Sequence, residues 1–149
     1  MSMASKKIRG FTLLEMMLSL SILGIIFAMT GPLYRVFMVR NDLDIVVSTM
    51  VQNIRRAQTL SQVADGDSEW GVHTATGSIL LYKGSNYALR DEAFDENTEI
   101  PDNISVSGLV HITFEKKTGI PQSTGTTTFT SVTNETRHVT INQKGMVDY

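Results

Sequence analysis

From Phe11 to Gly31 the chain reads FTLLEMMLSLSILGIIFAMTG, 21 residues with a single charge, Glu15. Coiled as a helix, such a run covers about 31 Å, close to the roughly 30 Å hydrocarbon core of a bilayer. The ten residues before it, MSMASKKIRG, are short, polar and basic. A secretory signal peptide has a shorter apolar region, about 7–15 residues, with its small-residue cleavage site after that region. Here the small residue, Gly10, comes first. Residues 11–31 are therefore expected to form a transmembrane helix. Lys6, Lys7 and Arg9 predict that its N-terminal end stays cytoplasmic while the C-terminal part is exported.

Glu15 constrains the reading further. A carboxylate in an apolar phase costs several kcal/mol unless it meets a partner. No basic side chain within the run reaches it. The nearest cations are Arg9 and, if the chain is cut after Gly10, the new α-amino group of Phe11, from the same chain or a neighbour. Charge elsewhere is modest. The sequence carries 13 basic and 15 acidic side chains; without Lys6, Lys7 and Arg9 it keeps 10 basic against 15 acidic, about −5. That balance argues against a nucleic-acid binder driven by net charge. Cysteine is absent, which excludes a disulfide framework, a thiol nucleophile and a Cys-based metal site.

The string Lys6-Lys7-Ile8-Arg9-Gly10/Phe11-Thr12-Leu13-Leu14-Glu15 resembles the processing site of type IV pilins and type II secretion pseudopilins. The resemblance implies cleavage after Gly10 by a membrane-embedded prepilin peptidase, N-methylation of Phe11, and an assembly role for Glu15 at a neighbouring subunit's N-terminal amine. It also implies other pilins or pseudopilins, an assembly platform protein and an ATPase as partners. Gly24, Gly31 and Pro32 sit where pilin helices loosen or kink in filaments, although glycine and proline are also ordinary in membrane helices.

After Pro32 an amphipathic pattern resumes. Val36, Leu43, Val46, Val47, Met50, Ile54, Ala57 and Ala64 recur at helical spacing, with Arg35, Arg40, Asp42, Asp44, Arg55 and Arg56 between them. Asp65-Gly66-Asp67-Ser68 is expected to end the helix. Beyond it the period falls to two. Trp70–His73 and Ser78–Tyr82 flank Ala75-Thr76-Gly77 as one hairpin, and Thr126–Val132 and Arg137–Ile141 flank 133–136 as another. Ile104–Val106 and Val110–Phe114 alternate as strands, and Met146–Tyr149 reads as a tail. The expected plan is α+β: a leader over 1–10, an apolar helix over 11–31, an amphipathic continuation over 32–64, and an antiparallel head over 65–149 with the helix on one sheet face, as in the type IV pilin fold.

Trp70-Gly71-Val72, Ile79–Tyr82, Ile100-Pro101, Phe114 with Gly119-Ile120-Pro121, and the closing pattern 139–147 resemble GspH/FimT-type minor pseudopilins more than major pilins. The implied protein is a structural minor pilin or pseudopilin. It is single-pass in the inner or cytoplasmic membrane, then drawn into a filament at the cell surface or in the periplasm. A major pilin is the alternative within the family, against which stands the lack of cysteines to close a C-terminal loop.

Other chemistry is sparsely signalled. His73, His111 and His138 lie in strand patterns without metal-ligand spacing and are expected to be isolated and solvent-facing; no metal site and no cofactor are expected. The acids Asp91, Glu92, Asp95, Glu96, Glu99 and Asp102 read as a solvated loop between strands, in no spacing typical of Ca²⁺. There is no nucleophile elbow and no phosphate loop, so no enzyme is expected. Some FimT-type minor pilins of competence systems bind DNA through a basic C-terminal region; Arg137 and Lys144, with His138, are the residues here that would do so.

Overall fold

The computed structural model describes residues 10–149, and for 29–36 the backbone alone. One long helix, α1 (Leu13–Gln62), opens the chain. Eight strands follow: β1 (Trp70–Ala75), β2 (Ser78–Lys83), β3 (Asp91–Glu99), β4 (Ile104–Gly108), β5 (His111–Phe114), β6 (Gly125–Ser131), β7 (Thr136–Ile141) and β8 (Val147–Asp148). The chain divides into two compact units, Met1–Val36 and Phe37–Tyr149.

In the first unit the described side chains of α1 are exposed on every face, Leu13 at 79% and Phe27 at 75%. The expected membrane-spanning helix over 11–31 is not met among the described residues: no helix there is long and apolar enough to cross a membrane. That expectation extends into residues 29–31, whose side chains lie outside the described residues.

The second unit is built around the other half of α1. Leu43, Val46, Val47, Met50, Val51, Ile54 and Ala57 are buried at spacings of one, three and four, which places them on one helical face. The expected single sheet is two. One has the order β3-β2-β1-β5 and the other β4-β6-β7-β8. Both send side chains into the same apolar cluster as the helix: Trp70, Val72, Ile79, Leu81, Ile112 and Phe114 from the first, Ile104, Phe129, Val139 and Ile141 from the second. The chain changes sheet within two residues. The Leu109 N–H donates to the Thr126 carbonyl of β6, while the Val110 carbonyl accepts from the Thr74 N–H of β1. Two alternating segments that look like successive strands thus belong to different sheets, as at the corners of packed sheets.

Polar contacts fix the helix end. The Trp70 N–H donates to Ser61 Oγ at 2.9 Å, and Trp70 Nε1 donates to the Asp65 carbonyl at 3.1 Å. Ala64 takes a left-handed conformation, φ 52°, so the helix stops at Gln62 rather than 64. Exposed ion pairs join its outer face to the strands: Arg40 to Glu135 at 2.8 Å and Arg56 to Glu96 at 2.5 Å. Each contributes about 0–1 kcal/mol, less than one buried Leu or Phe at about 1.5–3 kcal/mol.

Two further expectations are corrected. Asp91–Glu99 is an edge strand and not a loop, paired only with β2. Eight of its nine residues are exposed on both faces, which removes the alternation that signals a strand. Its pairing slips between Leu81, opposite Glu96, and Lys83, opposite Asp91. The extra residues carry Phe94 edge-on to Trp70, ring centres 6.2 Å apart, beneath the Lys83 ammonium. The tail 146–149 contains β8, paired with the end of β7.

Gly71 marks the tightest packing in β1. A Cβ there would lie 2.5 Å from the Tyr82 ring and 2.8 Å from the Ile112 carbonyl oxygen. The bare backbone lets Tyr82 cross the strand, where its buried hydroxyl meets Thr113 Oγ1 at 2.6 Å. Gly71→Ala is therefore expected to destabilise the head by about 2–3 kcal/mol through overpacking. Tyr82→Phe, which strands the Thr113 hydroxyl, should cost about 1–2 kcal/mol. Urea unfolding followed by the emission of Trp70, the single tryptophan, measures both.

Candidate functional site

The N-terminal residues with signalled chemistry stand together. Thr12 caps α1: its Oγ1 accepts the Glu15 N–H at 3.2 Å, and its carbonyl accepts the Met16 N–H at 3.2 Å. Thr12-Leu13-Leu14-Glu15 is thus a capping sequence, with an acid in the first turn where the helix dipole favours negative charge. Sequence reasoning overlooked this second role of Glu15, although the T-x-x-E spacing carries it. Gly10, Phe11, Thr12 and Glu15 line one open concavity, and Phe11 is 79% exposed. The bond between Gly10 and Phe11, and the carboxylate that would face a new amine, therefore share one accessible site.

Among the described residues nothing demands glycine at position 10. A Cβ there would meet no atom within 4 Å. The same holds at Gly24, where α1 passes uninterrupted with open space around it. At Gly31 and Pro32 the backbone is helical, but their surroundings lie outside the described residues, as does the basic segment 1–9. The next turns of the helix form an apolar groove of Leu13, Leu14, Met17, Leu18 and Ser21. The Ser21 hydroxyl donates to the Met17 carbonyl at 2.8 Å, so even this polar group makes no demand on its surroundings.

His111 and His138 are exposed, as expected of solvent-facing positions, but His73 and His111 are not isolated. His73 and His111 are directly opposed on β1 and β5, with ring centres 5.6 Å apart, and His73 is half-buried. The pairing joins residues 38 positions apart, a separation that no local spacing reports. His138 is exposed and its Nδ1 lies 3.0 Å from Thr128 Oγ1. Among the described residues no three or more His, Asp or Glu side chains gather in a metal-holding arrangement.

At the other end of the chain, Arg137 is already engaged. Its Nε donates to Asp44 Oδ1 of α1 at 3.0 Å. Lys144 is exposed in the turn before β8, where Asn142 Oδ1 accepts the Lys144 and Met146 N–H groups. The two cations lie at opposite ends of β7, separated by about 13 Å of strand.

Residues 5–31 match the family described as the prokaryotic N-terminal methylation motif. The match marks this segment as that of a type IV pilin-like prepilin, a substrate of prepilin peptidase. No curated protein and no solved structure gives a match.

The two separated cations set an expectation for nucleic acid. Each phosphate contact adds roughly one unit to the slope of log affinity against log salt, and Arg137 reaches a phosphate only by leaving Asp44. Duplex DNA is expected to bind no tighter than the non-specific range, about 10⁻⁴ M at physiological salt. Fluorescence anisotropy measures this. Micromolar binding abolished by Arg137→Ala and Lys144→Ala would make DNA capture the function.

Proposed function

We propose that this protein is a structural, non-catalytic minor pilin or pseudopilin with a GspH/FimT-type head and the type IV pilin fold. In this reading it is cut after Gly10, anchored in the membrane by the apolar half of α1, and assembled with other pilins through that same half. One observation carries the proposal: the methylation motif at 5–31 coincides with an exposed Gly10–Phe11 bond, beside Glu15, at the head of an apolar helix whose described side chains are exposed. The glycine is consistent with this reading, since a Cβ there would meet no described atom within 4 Å and a small residue would serve the peptidase rather than the packing.

In mechanism, the small residue before the scissile bond gives a peptidase access at the membrane face. Cleavage creates a cationic amine at Phe11, at the positive end of the helix dipole, where it is locally unfavourable. Methylation leaves that charge in place. Glu15 is the acid of the first turn, and in an apolar environment the pairing of its carboxylate with a subunit's terminal amine neutralises both. The prepilin peptidase, platform protein and ATPase are the partners this reading requires. DNA capture ranks below it because Arg137 is paired with Asp44.

Intact-mass analysis of protein extracted from membranes should show loss of residues 1–10 and gain of one methyl group. A mature chain starting anywhere but Phe11 overturns the proposal. Glu15→Ala should still be cleaved, because the scissile bond does not involve that carboxylate, yet enter filaments poorly. Incorporation equal to wild type, measured in sheared filament fractions, would show that amine pairing is not what Glu15 provides.

A further inference from the structure

The face of the first sheet that points away from the core carries a cluster unrelated to the N-terminal site. Strand alternation puts Val72 and Thr74 of β1 inside and His73 outside. Against His73 lies a strap, residues 84–90, that links β2 to β3. Its short 3-10 turn, Tyr87–Leu89, is capped by Asn86, whose Oδ1 accepts the Leu89 N–H at 2.9 Å. The Tyr87 ring stacks on the His73 imidazole with centres 3.9 Å apart and planes inclined by 27°. It also stands edge-on to Tyr82, 6.0 Å away, and the Arg90 guanidinium lies 4.4 Å from its centre.

The charged and titratable groups around His73 come from each packed element. His111 faces it from β5, Tyr82 extends from β2, and Tyr87 and Arg90 belong to the strap. The acids Asp95 and Glu92 of β3 are turned to Arg90, at 2.8 and 3.3 Å. Nδ1 of His73 is buried without a hydrogen-bond partner. The imidazole thus sits between two cationic or potentially cationic groups, with no carboxylate of its own.

We infer that His73, stacked on Tyr87 and opposed to His111, is a proton-operated latch: its neutral imidazole holds the strap 84–90 on the sheet, and its protonated imidazole releases it. Burial, then His111, then Arg90 hold the His73 pKa below its ordinary 6.5. Stacking a charged imidazole on tyrosine would be favourable in isolation. Here Arg90 already lies close to that ring, and the burial cost dominates. Because the folded protein disfavours the proton, the latch contributes fully above about pH 6.5 and weakens as pH falls below it. Release bares Tyr82 and frees the start of β3, the edge strand that the strap leads into. The inference is independent of the prepilin reading.

Hydrogen exchange of the full chain in detergent micelles tests it, comparing about pH 7.5 with about pH 5, either side of the ordinary imidazole value. Rates are corrected for the intrinsic effect of pH. Wild-type peptides covering 84–90 should lose protection at the lower pH while those covering 43–57 keep it. His73→Gln should make strap protection equal at both pH values, and His111→Gln should reduce the loss. Trp70 emission at the higher pH confirms that each variant is folded; if His73→Gln fails this check, His111→Gln decides. Wild-type strap protection that ignores pH, or a loss that survives undiminished in the folded variants, overturns the latch.

Discussion

Twelve large apolar side chains between Phe11 and Phe27 stand half exposed or more. Burying each is worth about 1.5–3 kcal/mol, so together they represent roughly 20–35 kcal/mol of unsatisfied hydrophobic driving force. A domain of this size is stable by about 5–15 kcal/mol. Where the chain resides is therefore decided by whatever covers this helix rather than by the fold of the head. Lipid and the same helix from other subunits both present apolar surfaces of the required kind, and a filament subunit must exchange one for the other. The small gain in that exchange is a condition for moving the subunit at all, since lipid tails are as apolar as leucine.

Polar groups at the start of the helix give the exchange direction. Thr12 and Ser21 hydrogen-bond locally: Thr12 Oγ1 accepts the Glu15 N–H, and the Ser21 hydroxyl donates to the Met17 carbonyl. Their hydroxyls are therefore indifferent to which apolar phase surrounds them. The Glu15 carboxylate differs, because a backbone cap by Thr12 does nothing for its charge. In the proposed function it alone in the apolar run distinguishes a lipid environment from a neighbour carrying an amine, and so would link position along the helix to register between subunits.

How far the sequence could be read follows from which interactions are local. The apolar run, both flanked hairpins and the buried face from Leu43 to Ala57 were legible, because each depends on spacing within a few residues. Legibility failed where contact partners are remote or patterns are erased by solvent. Ile104–Val106 and Val110–Phe114 both alternate, yet the hydrogen bonds of Leu109 and Val110 send them to different sheets. Asp91–Glu99 is wet on both faces and shows no alternation, although its backbone pairs with β2. His73 and His111 each look solitary in the chain; only the β1–β5 register opposes them. At the candidate site the capping of the Glu15 N–H by Thr12 was missed, although the T-x-x-E spacing signals it.

The free sheet edges are managed in ways that suit a chain held at high local density. Backbone groups on an open edge invite pairing with another copy. β8 is two residues long, and the outer side of β5 is met by Pro121, which bridges to Phe114 and cannot extend a ladder as a donor. β3 is nine residues long and open, but carries Asp91, Glu92, Asp95, Glu96 and Glu99. Two such strands brought edge to edge would set carboxylates against carboxylates, and Arg56 and Arg90 of the same chain already hold three of the five. The acidic strand thus needs no calcium to explain it. Its charges disfavour zipping of the head to another copy by backbone pairing, which in the proposed function would leave the helix as the element through which copies associate.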